Sequence, residues 1–223
     1  FYPLYEAEQD RRRFNANLTL FATSIIGLHY SGTEPSLVSS ASIDAINWLQ
    51  DAISTEHHRA RDIVDYCYLL AISGKPIEKF MSPLLEINNG GTIDWNVLGQ
   101  RANHVTAGSE TLGEALLMGL EDANIWNRIG TLYLDFANDS SQAIVLYDQA
   151  IHFDPRSPMY HYNKARALTY GKHDYVSAKH CLTQSRRLAK NMWGWFKVNE
   201  DMFIGLERFI TENIATSSPP NET

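Results

Sequence analysis

The chain has 223 residues, 44% of them hydrophobic, enough for one sizeable core or for a stack of helical pairs. A formal charge of −7 counts against a general nucleic-acid binder, which needs a basic excess. The two cysteines, Cys67 and Cys181, are too few for a disulfide scaffold and sit in apolar helical patterns, so they read as buried thiols, with a single bridge as the alternative.

In chain order, residues 1–35 read as an N-terminal helical segment. The chain opens at Phe1 without an initiator methionine or a signal peptide, as expected of a processed or trimmed piece of something larger. Asp10-Arg-Arg-Arg reads as a solvated helix end. The most apolar run, Leu18 to Tyr30, is too short to span a bilayer and carries Thr, Ser and His. Direct membrane insertion is therefore not expected, and a soluble chain, cytoplasmic before extracytoplasmic, is.

Residues 36–92 read as helical pairs. Ala45-Ile46 followed by Ala52-Ile53 marks one apolar stripe. A helix is expected over 55–74, stopped by Gly74 and Pro76, with a short partner over 76–87 stopped by Asn88-Asn-Gly-Gly. His58 and Asp62 share a helix face at i, i+4, a spacing that starts a metal site but more often marks a surface contact. No Gly-rich phosphate loop and no Gly-x-Ser-x-Gly elbow occurs, and the Asp62/Asp65 and Glu121/Asp122 carboxylates read as solvated helix faces.

Residues 93–190 are the most regular. Trp95-x-x-Leu98-Gly99 opens a shortened unit that includes Ala115. From Asn124, apolar residues at Ile125, Ile129, Leu132 and Phe136 keep helical spacing, and Asn138-Asp-Ser-Ser follows as a turn and new N-cap. A second run, Ala143 to Phe153, ends at Asp154-Pro155. Small Gly130, Ala143 and Ala150 allow two antiparallel helices to approach closely, with Trp126, Tyr133 and Tyr147 filling the space around them. A helical Gly costs about 1 kcal/mol against Ala and needs such a reason. A second unit repeats the pattern with Tyr162, Ala165, Ala167 and Leu168, the turn Gly171-Lys-His-Asp-Tyr, then Ala178, Leu182 and Ser185. Arg156 to Lys190 holds eight Lys/Arg and one acid, Asp174, so an anion-attracting patch is expected near the C-terminal end. The apolar helix over 191–214, with Trp193, Trp195, Phe196, Met202, Phe203, Leu206 and Phe209, reads as a cap on the last repeat, and 215–223 as a disordered tail.

Trp126-x-x-Ile129-Gly130-x-x-Tyr133, then Ala143-x-x-x-Tyr147-x-x-Ala150, then Pro155, resembles the tetratricopeptide repeat, in a unit one residue longer than the usual ~34. In the second unit Ala165 takes the glycine's place, and Lys190 stands where the final proline would be. The resemblance is clear over 93–190 and fainter over 36–92. It implies an all-α solenoid of antiparallel helix pairs, a right-handed superhelix with a C-terminal capping helix. It also implies a non-catalytic interaction module that holds a protein or peptide along its concave groove, with no cofactor and no metal. The first helix of each unit lines that groove in this family. The resemblance therefore places Asn127, Thr131 and Asp135 there in one unit, Tyr162, Arg166 and Tyr170 in the next, and Asn96, Gln100 and Asn103 in the weaker one. Packing of Tyr162 and Tyr170 against the next helix is the alternative. Of the Lys/Asn/Asn/Lys/Arg set by which chaperone-binding members grip a C-terminal carboxylate, Asn163 alone matches, and chaperone binding is not expected. Two rival functions remain: an accessory domain of a larger, membrane-attached enzyme or assembly complex, and a helical metal-dependent enzyme.

Overall fold

The computed structural model describes residues 17–53, 59–77, 80–81, 112–190 and 193–217, without the side chains of 114, 193–199 and 217. Among the described residues the elements are helical and no strand occurs. The chain divides into two compact units, Phe1–Gly119 and Leu120–Thr223.

In the first unit, helical residues 17–30 (α1) are followed by α2 (Pro35–Ile53), α3 (Ala60–Ile72) and α4 (Leu112–Met118). Gly32 takes a positive φ of 78° in the tight link after α1, and Pro35 opens α2, where its missing N–H costs nothing. Val38, Ser42, Ala45, Ile46, Leu49 and Ile53 form the buried stripe of α2, which packs on α3. Helix α3 is buried on nearly every side, Ile63, Val64, Cys67 and Leu69 among its core residues, and α4 packs on it through Leu112, Ala115 and Leu116. Its start is tied by Arg59, whose backbone N–H donates to Asp62 Oδ2 at 2.9 Å and whose guanidinium also engages Asp62. Arg61 lies 3.5 Å from the buried carboxylate of Asp65. The two acids expected on a solvated face are thus buried, and each has an arginine partner. The helix expected from residue 55 is observed from Ala60; His58 lies outside the described residues, as do most of 76–87 and the Trp95–Gly99 stretch.

The second unit carries α5 (Ala123–Asp135), α6 (Ser140–Phe153), α7 (Pro158–Arg166, continued by a π-helical turn, Ala167–Lys172), α8 (Tyr175–Ala189) and α9 (Trp193–Ser217). Two helix hairpins, α5/α6 and α7/α8, stack through α6 and α7, and α9 packs on α8. A period of about 35 residues is written into their caps. Asn138 and His173 both sit in the left-handed region, at φ 54° and 55°. The next residue in each case is an N-cap aspartate: Asp139 Oδ1 accepts from Gln142 N–H and Asp174 Oδ1 from Ser177 N–H, both at 3.0 Å. The backbone N–H of Asp139 closes on Tyr133 O and that of Asp174 on Leu168 O, the same six-residue return that satisfies a helix C-terminus.

Trp126 is fully buried, its Nε1–H donating to Leu120 O at 2.8 Å and its ring stacked on Phe153. A Cβ on Gly130 would lie 2.8 Å from Tyr147 Cε1, so the α5/α6 crossing needs a glycine there. Ser185 replaces an alanine of the repeat pattern without an orphaned hydroxyl, because it donates to Pro158 O. Helix α9 covers the end of the stack with Phe203, Leu206 and Ile210, packed among Tyr162, Ala165, Leu168, Ala178 and Leu182, as a capping helix must. It runs past Ile214 through Ala215 and Thr216 to Ser217, and the side chains of Trp193, Trp195 and Phe196 lie outside the described ones. No helix of the described residues is long and apolar enough to cross a membrane.

Candidate functional site

Helices α5 and α7 are the first members of the two hairpins, and side chains four apart on each share a face. Asn127, Thr131 and Asp135 follow one another along α5, and Asn163 and Arg166 lie on α7. Two side-chain ties join the rows. Asn163 Nδ2 donates to Asn127 Oδ1 at 2.9 Å, and Arg166 Nη2 donates to Asp135 Oδ1 at 2.8 Å. The Tyr147 hydroxyl, reaching across from α6, donates to Thr131 Oγ1 at 3.2 Å, and Thr131 Oγ1 in turn donates to Asn127 O. The arrangement is a polar ladder bound to itself, with one amide N and one amide O of the asparagine pair not used by the mutual bond.

Exposure grades along this ladder. Asn127, Thr131, Tyr162 and Asn163 are buried. The Asp135 and Arg166 side chains retain 17% and 25% of their surface. Tyr170 is 53% exposed. Burial, the largest single influence, lowers the Arg166 pKa, but the Asp135 carboxylate together with Tyr147 and Tyr162 holds the guanidinium above its ordinary value. Burial, first of all, raises the Tyr162 phenol. Tyr162 rests on Phe203 with ring centroids 5.3 Å apart, and Tyr170 on Phe209 at 5.4 Å. Tyr170 lies within the π turn, whose i→i+5 bonding sets it off the strict α stripe of Tyr162 and Arg166. Asn96, Gln100 and Asn103 lie outside the described residues.

Two participants had no sequence signal as site residues. Phe209 reaches the ladder's open end from α9, where it reads only as one of many apolar cap positions. Asp148 on α6 pairs with Lys164 of α7, a further tie between the hairpins that spacing along one helix does not reveal. Among the described residues no group of three His, Cys, Asp or Glu is placed to hold a metal. Cys67 and Cys181 are buried thiols not joined in a disulfide, and burial raises the Cys181 thiol pKa.

His161, on α7, has its ring N 3.3 Å from Pro155 O. Burial, supported by the nearby Lys164 and Arg187 charges, holds its pKa below the ordinary 6.5, against the Pro155 bond and Asp148. A histidine with a depressed folded-state pKa is protonated first in the unfolded chain. Stability is therefore retained above 6.5 and falls as pH drops from there toward the folded value. Urea midpoints taken from about pH 7.5 to about pH 5 should decline less steeply in His161→Gln than in the parent; equal slopes would assign the decline to other groups.

No family model matches the chain, and no curated protein matches it. Among solved structures it is similar to the TPR2AB domain of yeast Sti1, in a structure described as a complex with pHSP90. The identity is 14% over 92% of this chain and 82% of that one, with a TM-score of 0.41, too low to match residues of that domain to residues of this chain.

Proposed function

We propose that the second unit is a protein-interaction module that holds an extended peptide of a partner protein along the α5/α7 face. The observation that carries this is the graded ladder. Its buried end is locked by Asn127–Asn163, and its open end presents Arg166, held by Asp135, beside the exposed Tyr170–Phe209 pair. An arginine fixed by one carboxylate keeps further N–H donors in a rigid fork, suited to a peptide carbonyl or carboxylate. The aromatic pair next to it supplies flat apolar area with little rotamer freedom to lose. Asn127, Thr131, Tyr162 and Asn163 then set the floor and spacing of the face more than its contact surface.

An Hsp90 peptide is not the ligand proposed. Of the residues by which chaperone-binding repeats grip a terminal carboxylate only Asn163 is present, and its amide donates to Asn127.

The test is capture of partners from source-cell lysate by the parent and by Arg166→Gln/Tyr170→Ala, with helicity checked by circular dichroism. A partner held by the parent and reduced about tenfold or more in the variant is expected. Equal capture by both folded proteins would remove binding from this face.

A further inference from the structure

The basic segment Arg156–Lys190 is sorted by the fold into two populations. Lys164, Arg166 and Arg186 are part-buried and each meets a carboxylate: Asp148, Asp135 and Glu207. The others are exposed, and on α8 they fall on one side. Helix α8 buries Ala178, Cys181, Leu182, Ser185 and Ala189. At 3.6 residues per turn its opposite side carries Val176, Lys179, His180, Thr183 and Arg187, and Lys190 follows at the C-cap. All of these are exposed, and none of these cations meets a carboxylate among the described residues. Two acids of the adjoining elements are already engaged: Asp174 caps α8 through Ser177 N–H, and Glu207 pairs with Arg186.

The helix dipole explains part of this. Cations in a last helical turn are favourable, which accounts for Arg187 and Lys190. It does not account for Lys179 in the first half of α8. Arg187 and Lys190 also stand at i, i+3, where like charges repel by a few tenths of a kcal/mol, which offsets part of what the dipole contributes.

We propose that this outer side of α8 is a second docking surface, separate from the α5/α7 face, for an acidic segment of a partner protein. From Lys179 to Lys190 the cations extend along roughly 16 Å of helix at 1.5 Å per residue. About five residues of extended chain span that length, with alternate side chains on one side. Three carboxylates therefore meet the row. The surface lacks what a lipid membrane would need: Val176 is its one apolar side chain, whereas helices that lie on bilayers bury a broad apolar face. A nucleic acid runs far beyond 16 Å and meets the field of a chain with net charge −7. A short acidic segment interacts mainly within a Debye length of about 8 Å, where the local charge is positive.

Fluorescence polarisation with a labelled glutamate-rich peptide tests this on the full chain. The comparison is between the parent, Lys179→Glu/Arg187→Glu/Lys190→Glu, the milder Lys179→Gln/Arg187→Gln/Lys190→Gln, and Arg166→Gln/Tyr170→Ala. Expected are one-to-one binding to the parent that weakens with salt, a loss of about tenfold or more in both α8 variants, and parent-like binding in the α5/α7 variant. The exposed positions make unchanged thermal unfolding the expectation for the glutamine variant. No peptide binding by the parent, or equal binding by the folded α8 variants, overturns the proposal. Tighter binding of the parent to phosphatidylserine vesicles or to a single-stranded RNA oligonucleotide also overturns it. The parent-like behaviour of the α5/α7 variant keeps the outcome independent of the peptide-groove function.

Discussion

Gly130→Leu is expected to destabilise the second unit by about 3 kcal/mol, at the upper end of what overpacking a helix crossing costs. Even its Cβ would stand 2.8 Å and 3.0 Å from Tyr147 Cε1 and Cδ1 and 3.3 Å from Leu146 Cβ. The tyrosine ring cannot swing aside cheaply. It is fully buried, and its hydroxyl is tied to Thr131 Oγ1 at 3.2 Å. Helices α5 and α6 must separate, which also pulls Thr131 from the ladder. Gly130→Ala should cost less, since about 1 kcal/mol of helix propensity offsets part of the clash. Urea unfolding followed by circular dichroism measures both. A leucine variant as stable as the parent would mean that the crossing is not where Gly130 puts it.

The second large effect is expected at Gly171. A Cβ there would fall on Ser140 Cβ and Oγ, at the first residue of α6, so Gly171→Ala should cost on the order of 2 kcal/mol. The clash has a single origin, and that makes it checkable by rescue. In Ser140→Gly the nearest remaining atom is Ser140 Cα, 3.5 Å away, an ordinary contact. The double variant Gly171→Ala/Ser140→Gly should therefore be more stable than the sum of the single effects allows, with a coupling of about 1 kcal/mol or more. Additive losses would locate the strain of Gly171→Ala elsewhere in the π turn.

These two glycines show what was legible in the chain. Gly130 stands in a recognisable pattern with Trp126, Tyr133, Ala143 and Tyr147, because close approach of two helices constrains several residues at fixed spacings at once. The cap at Asn138-Asp-Ser-Ser was legible for the same reason, because Asp139 acts within its own turn, whereas Gly171-Lys-His-Asp-Tyr read as a turn without its cap, Asp174. Gly171 read only as a turn residue. Its contact with Ser140 depends on how the second hairpin sits on the first, and no local spacing reports that. The π turn at Ala167–Lys172 was likewise hidden, since an apolar stripe does not distinguish i→i+4 from i→i+5 bonding over one turn.

In the first unit the α2 stripe of Ala45, Ile46 and Ile53 was plain from periodicity. Asp62 and Asp65 were not, for a carboxylate reads as solvated until its arginine partner is known. The α5/α7 face shows the same division. Asn127, Thr131, Asp135, Asn163 and Arg166 follow from the repeat pattern one helix at a time. That Asn127 meets Asn163, Asp135 meets Arg166 and Thr131 meets Tyr147 is a fact of inter-helix distance, and it turns separate polar groups into a pre-set lattice. Phe209 comes from an element with no repeat pattern at all.

The matching left-handed residues and aspartate caps at Asn138/Asp139 and His173/Asp174 carry an evolutionary consequence. A DNA segment bounded by these two points encodes one complete turn-to-turn module, with its own start and stop signals and its own return bond. Duplicating or deleting it changes the number of hairpins without requiring new punctuation, because each module's folding depends mainly on its nearest neighbours. A chain with one module more or fewer would need no new helix-end signals, and the capping helix α9 would have only to fit whichever hairpin came last.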